Sequence, residues 1–140
     1  MAFLNYIGTG IEYPIKAASG AFKIETGTTL LNMSIIQILN IPKGSLPNNP
    51  YFGSDLFRLI HEPVDAIVKS AGTTFIVESV KQWERRVQIT DIQGETVSRI
   101  GTVNGFEKML SLVEFLIEYR VLASNEVQSF VFPFYRELEF

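Results

Sequence analysis

The clearest pattern in the chain is an alternation late in the sequence. Val113, Phe115, Ile117, Tyr119 and Val121 fall on one side, and Glu114, Leu116, Glu118 and Arg120 on the other, which predicts a strand with one buried face. A different period governs the first third of the chain. Leu31, Ile35, Ile38 and Leu39 recur at helical spacing and predict an amphipathic helix over Leu30–Leu39. Ahead of it, Ala21 to Glu25 alternates apolar and polar as a short strand does, and Gly27-Thr28-Thr29 breaks that run and can cap the helix. Pro42 and Gly44 end the helix, and the stretch through Pro47, Asn48 and Asn49 to Pro50 is a loop.

Ser54 or Asp55 can cap a short helix carrying Leu56, Leu59 and Ile60. Pro63 suits the first turn of a longer one, with Asp65 near its positive end. That helix is predicted over Val64–Trp83, with Ile67, Val68, Phe75, Ile76, Val80 and Trp83 as its apolar face and a kink or split at Gly72-Thr73-Thr74. After Trp83 the period changes again: Val87, Ile89 and Ile92 read as strand, Gln93-Gly94-Glu95 as a turn or bulge, and Thr96 to Val103 as strand once more. Gln128 to Tyr135 is aromatic and β-branched with Pro133 inside it, which points to an edge strand or an extended arm. Met1 to Gly20 shows no sustained period and reads as an arm. The order predicts an α+β domain, a small mixed or antiparallel sheet with two to four helices packed on one face. Residues 1–20 form its N-terminal arm, 21–122 the domain and 123–140 a C-terminal aromatic strand or arm.

Composition narrows the class. At 140 residues the chain suits one domain with its own core. An apolar fraction of 46% and a mean hydropathy of +0.18 argue for an ordered, rather adhesive chain. A net charge of −3, with Arg85-Arg86 as the nearest thing to a basic cluster, argues against nucleic acid as a partner. Cysteine is absent, which removes disulfides and thiolate metal sites. Met1 to Ile15 lacks the basic start and apolar run of a signal peptide, and no apolar run approaches the roughly 20 residues of a membrane helix.

Candidate chemistry is sparse. His61 stands alone at a helix boundary, where a cap or surface group is the ordinary role. No Gly-x-Ser-x-Gly elbow is present. A glycosidase needs two carboxylates facing each other in different environments. Glu78 with Glu84, or Glu114 with Glu118, could be nominated, but the second pair lies along a strand's polar side. Gly8-Thr9-Gly10 lacks the context of a phosphate loop, and no Asp-rich cation loop occurs. No catalytic, cofactor-binding or metal-binding residue is therefore assigned. What stands out instead is 11 Phe and 5 Tyr, many in the arms: Phe3, Tyr6 and Tyr13 in the first, Phe130, Phe132, Phe134, Tyr135 and Phe140 in the last. Terminal aromatics are hard to bury in a small domain, and exposed ones mark interfaces. Protein binding is thus the expected use of Phe130, Phe132, Phe134 and Tyr135.

Three segments in order carry a family resemblance: Ser34-Ile35-Ile36-Gln37-Ile38-Leu39, then Pro50-Tyr51-Phe52-Gly53-Ser54-Asp55-Leu56, then Trp83-Glu84-Arg85-Arg86-Val87. Together they resemble the baseplate wedge family of contractile phage tails, whose relatives occur in tailocins and type VI secretion and which older naming calls lysozyme-like. The resemblance spans roughly residues 22–121. It implies a structural subunit of the virion tail baseplate, assembled in the host cytoplasm, with other wedge proteins and the tail sheath protein as partners. It implies neither cofactor, nucleic acid nor membrane. It further implies that the family's Glu-Pro-Arg element, here Glu84, Arg85 and Arg86 with arginine in place of proline, docks on the wedge core. Trp83 is expected to anchor the core where helix meets sheet. The sheath contact is expected from Val113–Val121 and the aromatic tail, so that removing Gln128 to Phe140 should leave the domain folded. The competing readings are a cell-wall-degrading lysozyme-like enzyme and a small adaptor that binds one partner by strand addition.

Overall fold

The computed structural model describes residues 7–13, 15, 17–59, 62 and 66–135. Phe3, Tyr6, Ile60, His61, Pro63, Val64, Asp65 and Phe140, all of which enter the sequence argument, lie outside them. The order is β1 (Thr9–Ile11), β2 (Ala17–Ala18), β3 (Ala21–Phe22), β4 (Ile24–Thr26), α1 (Gly27–Asn40), a 3-10 turn (Leu56–Leu59), α2 (Ala66–Trp83), β5 (Val87–Val103), β6 (Phe106–Val121) and β7 (Val127–Tyr135). This is the expected α+β architecture. The main sheet is antiparallel in the order β5-β6-β7, and both helices pack on its apolar face.

The alternation that marked Val113–Val121 is realised in full. Val113, Phe115, Ile117, Tyr119 and Val121 are buried against the helices, while Leu116 on the opposite face is exposed. Helix α1 directs Leu31, Ile35, Ile38 and Leu39 into the same core. Its N-cap is Thr26 rather than the predicted Gly27-Thr28-Thr29, and the helix starts at Gly27. Its last turn is tied to the loop that follows. Ser54 donates its hydroxyl to the Leu39 carbonyl at 2.9 Å and its amide to the Ile41 carbonyl at 2.9 Å, which satisfies acceptors a helix end leaves open. Gly53 makes that approach possible: its φ of 115° suits glycine, and a Cβ there would run into the Ile41 carbonyl.

Three expectations are corrected. Helix α2 is continuous through Gly72-Thr73-Thr74. The threonine hydroxyls bond back to the Lys69 and Ser70 carbonyls at 2.9 and 3.1 Å, and Gly72 is where the Phe115 ring presses on the helix. Ile67, assigned to the apolar face, is exposed. In β5 the bulge falls not at Gln93-Gly94-Glu95 but at Thr90, skipped between the Ile89–Tyr119 and Asp91–Glu118 pairs. Its hydroxyl bonds Glu118 instead.

The described parts of both arms are built into the fold. β1 pairs with β4, and β2 with β3, so pairing crosses the boundary at residue 20. The C-terminal segment is strand β7, paired with β6 from Leu112–Tyr135 to Arg120–Val127. Phe132 and Phe134 are core residues, and Phe130 sits part-buried with its ring 6.2 Å from that of Tyr119. Pairing with a distant strand supplies the burial that terminal position had argued against. β6 is the central strand, so its residues Leu112–Arg120 have no open edge to which another strand could add. Beyond the end of β7, β5 and β6 continue as a two-stranded ribbon closed by Asn104 and Gly105, both at positive φ, as a tight hairpin turn requires. Ile100, Phe106 and Met109 stand exposed on it.

Two outcomes follow. Gly72→Ala gains about 1 kcal/mol of helix propensity but forces a Cβ to 2.5 Å from Phe115, which is fully buried. Overpacking there costs about 1–3 kcal/mol, so urea denaturation should show net destabilisation. Deleting Gln128 to Phe140 removes a sheet strand with Phe132 and Phe134, and should abolish the cooperative unfolding transition rather than leave a folded domain.

Candidate functional site

Among the described residues the most connected polar group is the Glu84 carboxylate, one residue beyond α2. Its backbone amide still bonds the Val80 carbonyl at 2.8 Å, which turns its side chain inward. Oε2 accepts from the Ser34 hydroxyl of α1 at 2.6 Å and from Arg86 Nη2 at 2.7 Å. Oε1 accepts from Arg86 Nε at 2.7 Å and from the Arg86 amide at 3.3 Å. The pair is a two-pronged guanidinium–carboxylate fork, the strongest geometry available to these groups. Arg86 Nη1 then donates to the Ile7 carbonyl at 2.8 Å, bringing the start of the described chain onto the same point. One cluster thus joins α1, the end of α2, the first residues of β5 and the N-terminal segment.

Charge and burial act together here. Glu84 is 3% exposed. Burial alone would raise its pKa, but hydrogen bonds from Arg86 and Ser34, with the guanidinium charge, outweigh it and hold the carboxyl below its ordinary value. The Glu84 hydrogen bond raises Arg86 in turn, against burial. Tyr119, on the central strand, is pushed up to about 12, by burial first and by the Glu84 charge second. A phenol kept neutral is a donor, and Tyr119 donates to the Asn32 side-chain oxygen of α1.

Glu84 and Arg86 are spent on each other and on this chain's own groups. Only Arg85 of the three projects outward. Trp83 meets a loop ring, with Phe52 edge-on at 5.0 Å, so it clamps the loop after α1 to the end of α2. Of the four aromatics assigned to binding, Phe132 and Phe134 are interior, Phe130 is part-buried, and Tyr135 closes the β7 ladder opposite Leu112. Glu84 is displaced in the wrong direction for a general acid, which must hold its proton near neutral pH. Among the described residues no group of three or more His, Cys, Asp or Glu is placed to hold a metal ion.

Comparison with known proteins agrees with the geometry. Residues 27–126 match the model of the family described as baseplate wedge protein gp25. No curated protein matches the chain. Among solved structures, a tail lysozyme, so named, from Geobacter sulfurreducens is similar at 19% identity and a TM-score of 0.63, over 86% of this chain and all of that one. A chain of the anti-feeding prophage baseplate is similar at 10% identity and a TM-score of 0.61, over 99% of this chain and 93% of that one. A chain of the pyocin R2 baseplate matches at 28% identity and a TM-score of 0.46, over 69% and 93%.

The cluster sets an order of damage. Arg86→Ala strands a carboxylate that is 3% exposed. Glu84→Ala strands a guanidinium that is 38% exposed and can reach water. Arg86→Ala should therefore cost more, roughly 2–3 kcal/mol once that exposure is discounted, and urea midpoints of the two variants rank them. The pH limbs have opposite signs. Glu84 is depressed in the fold, so its contribution holds above its ordinary value of 4.5 and is lost as pH falls below that. Tyr119 is raised, so its contribution holds below 10.0 and is lost between there and about 12. Stability measured against pH should flatten on the acid side in Glu84→Gln and on the alkaline side in Tyr119→Phe.

Proposed function

The chain belongs to the baseplate wedge protein gp25 family, and we propose that it works there by contact alone, docking beside other wedge proteins and offering a sheet edge to the first ring of tail sheath. It is a structural subunit of the baseplate in a phage tail or tailocin. In this reading it has no substrate and no cofactor, and it is assembled in the host cytoplasm.

The outer edge of β7 carries the sheath part of the reading. Among the described residues, β7 pairs within the main sheet with β6 alone. Val127 and Val131 on it are more than half exposed. An unpaired strand edge presents a row of amides and carbonyls that another extended chain can complete, and alternate side chains choose the register. Ile100, Phe106 and Met109 on the ribbon add exposed apolar surface of the kind that partner contacts cover. Glu84 and Arg86 support this arrangement from inside, by fixing where the sheet starts relative to the helices.

Co-expression with the neighbouring tail genes, followed by affinity capture, tests the reading. Wild type should recover both wedge and sheath proteins. Val131→Lys alters an exposed edge residue and should keep the wedge partner while losing the sheath protein. Recovery of sheath protein undiminished by the lysine contradicts the β7 assignment. Recovery of a single non-tail partner favours an adaptor instead. Glu84→Ala with Arg86→Ala is unsuited to testing docking, because it attacks folding.

A further inference from the structure

A cleft of about 420 Å³ opens where the end of α2 meets the start of β5 and the end of β6. Its floor is apolar, from Val77, Val80, Ile89 and Leu122, and its rim carries Lys81 and Arg85. Leu122 is half exposed and Val77 more than a third, so the floor faces water in the isolated chain. Lys81 and Arg85 project into solvent, and among the described residues neither is in a salt bridge. One carboxylate borders the cleft, Glu84, and all of its short bonds go to Ser34 and Arg86. The cleft thus combines an apolar floor with two cations that, among the described residues, have no salt-bridge partner.

We propose that this cleft receives an acidic segment of a neighbouring baseplate protein, with an apolar side chain on Val77 and Leu122 and carboxylates on Lys81 and Arg85. The inference rests on the baseplate reading above and names the chemistry of one contact within it. Charge complementarity decides the occupant. A basic or neutral segment would leave both cations unpaired at the interface, whereas acidic groups pair with them and fix register. Arg85 is suited to the role because its planar fork can grip a carboxylate with two bonds. The Glu84–Arg86 fork holds the backbone on either side of it.

The probe is a set of overlapping synthetic peptides covering the wedge proteins encoded beside this chain, followed by fluorescence anisotropy with the full-length protein. Peptides that bind should combine acidic with apolar residues and weaken as salt rises. Lys81→Glu with Arg85→Glu, both surface changes, should weaken them by about tenfold or more, and Lys81→Arg with Arg85→Lys should restore most of the affinity. Binding unchanged by charge reversal, or no acidic peptide bound, overturns the proposal. So does sedimentation showing that the charge reversal disrupts only a dimer of this chain, which would make a second copy the occupant. Capture of co-expressed wedge proteins separates the two levels. If the charge-reversed chain still recovers them, the cleft assignment fails and the baseplate reading stands; if wild type recovers none, both fail.

Discussion

The structure turns on one buried carboxylate. Glu84 lies where a helix ends and the sheet begins, and a charge taken out of water at that point must be fully met or the local fold is lost. It is met by Ser34 from α1 and by the fork of Arg86, one residue ahead of β5. Other constraints follow from that. Arg86, once held, can reach the Ile7 carbonyl, and its own carbonyl receives the Leu122 amide at 3.0 Å, which joins the start of β5 to the end of β6. The same negative charge helps keep Tyr119 neutral as a donor to Asn32. Polar groups in the interior thus set the angle between helices and sheet, while Phe115, Ile117, Leu31 and Ile35 supply the bulk of the apolar burial around them.

The two kinds of surface are separated in consequence. Glu84 is turned inward and bonded to Arg86 and Ser34. Exposed apolar atoms stand on the β7 edge, the ribbon and the cleft, as they do at Tyr51, Phe57 and Ile67. Such a distribution suits a part that is held by neighbours on several sides. Arginine in place of the family's usual proline between Glu84 and Arg86 is compatible with the same inner fork. It adds an outward cation next to it.

Legibility in the sequence followed the range of the interaction. The Val113–Val121 strand, the helix over Leu31–Leu39 and the loop to Pro50 rest on local periodicity and turn chemistry, and were readable. The ribbon turn at Asn104-Gly105 carries the strongest short hairpin signal there is. Other features depend on partners far along the chain. Phe132 and Phe134 look like exposed tail residues until β7 is known to pair with β6. Gly72 looks like a helix breaker until the Phe115 ring is set against it. Nothing local to Glu84 and Arg86 shows that Ser34, 50 residues earlier, completes the carboxylate. Residue types were informative throughout; which side each faced was decided by pairing that no local window contains.

The most direct measurement is a cryo-electron microscopy map of the assembled baseplate containing this chain, at a resolution that shows side chains around the end of α2. The account predicts that Glu84 remains bonded to Arg86 and Ser34 within the chain, while Arg85 and Lys81 face a neighbouring subunit. A map in which the Glu84 carboxylate or the Arg86 guanidinium has left this cluster to bond a neighbour would contradict it.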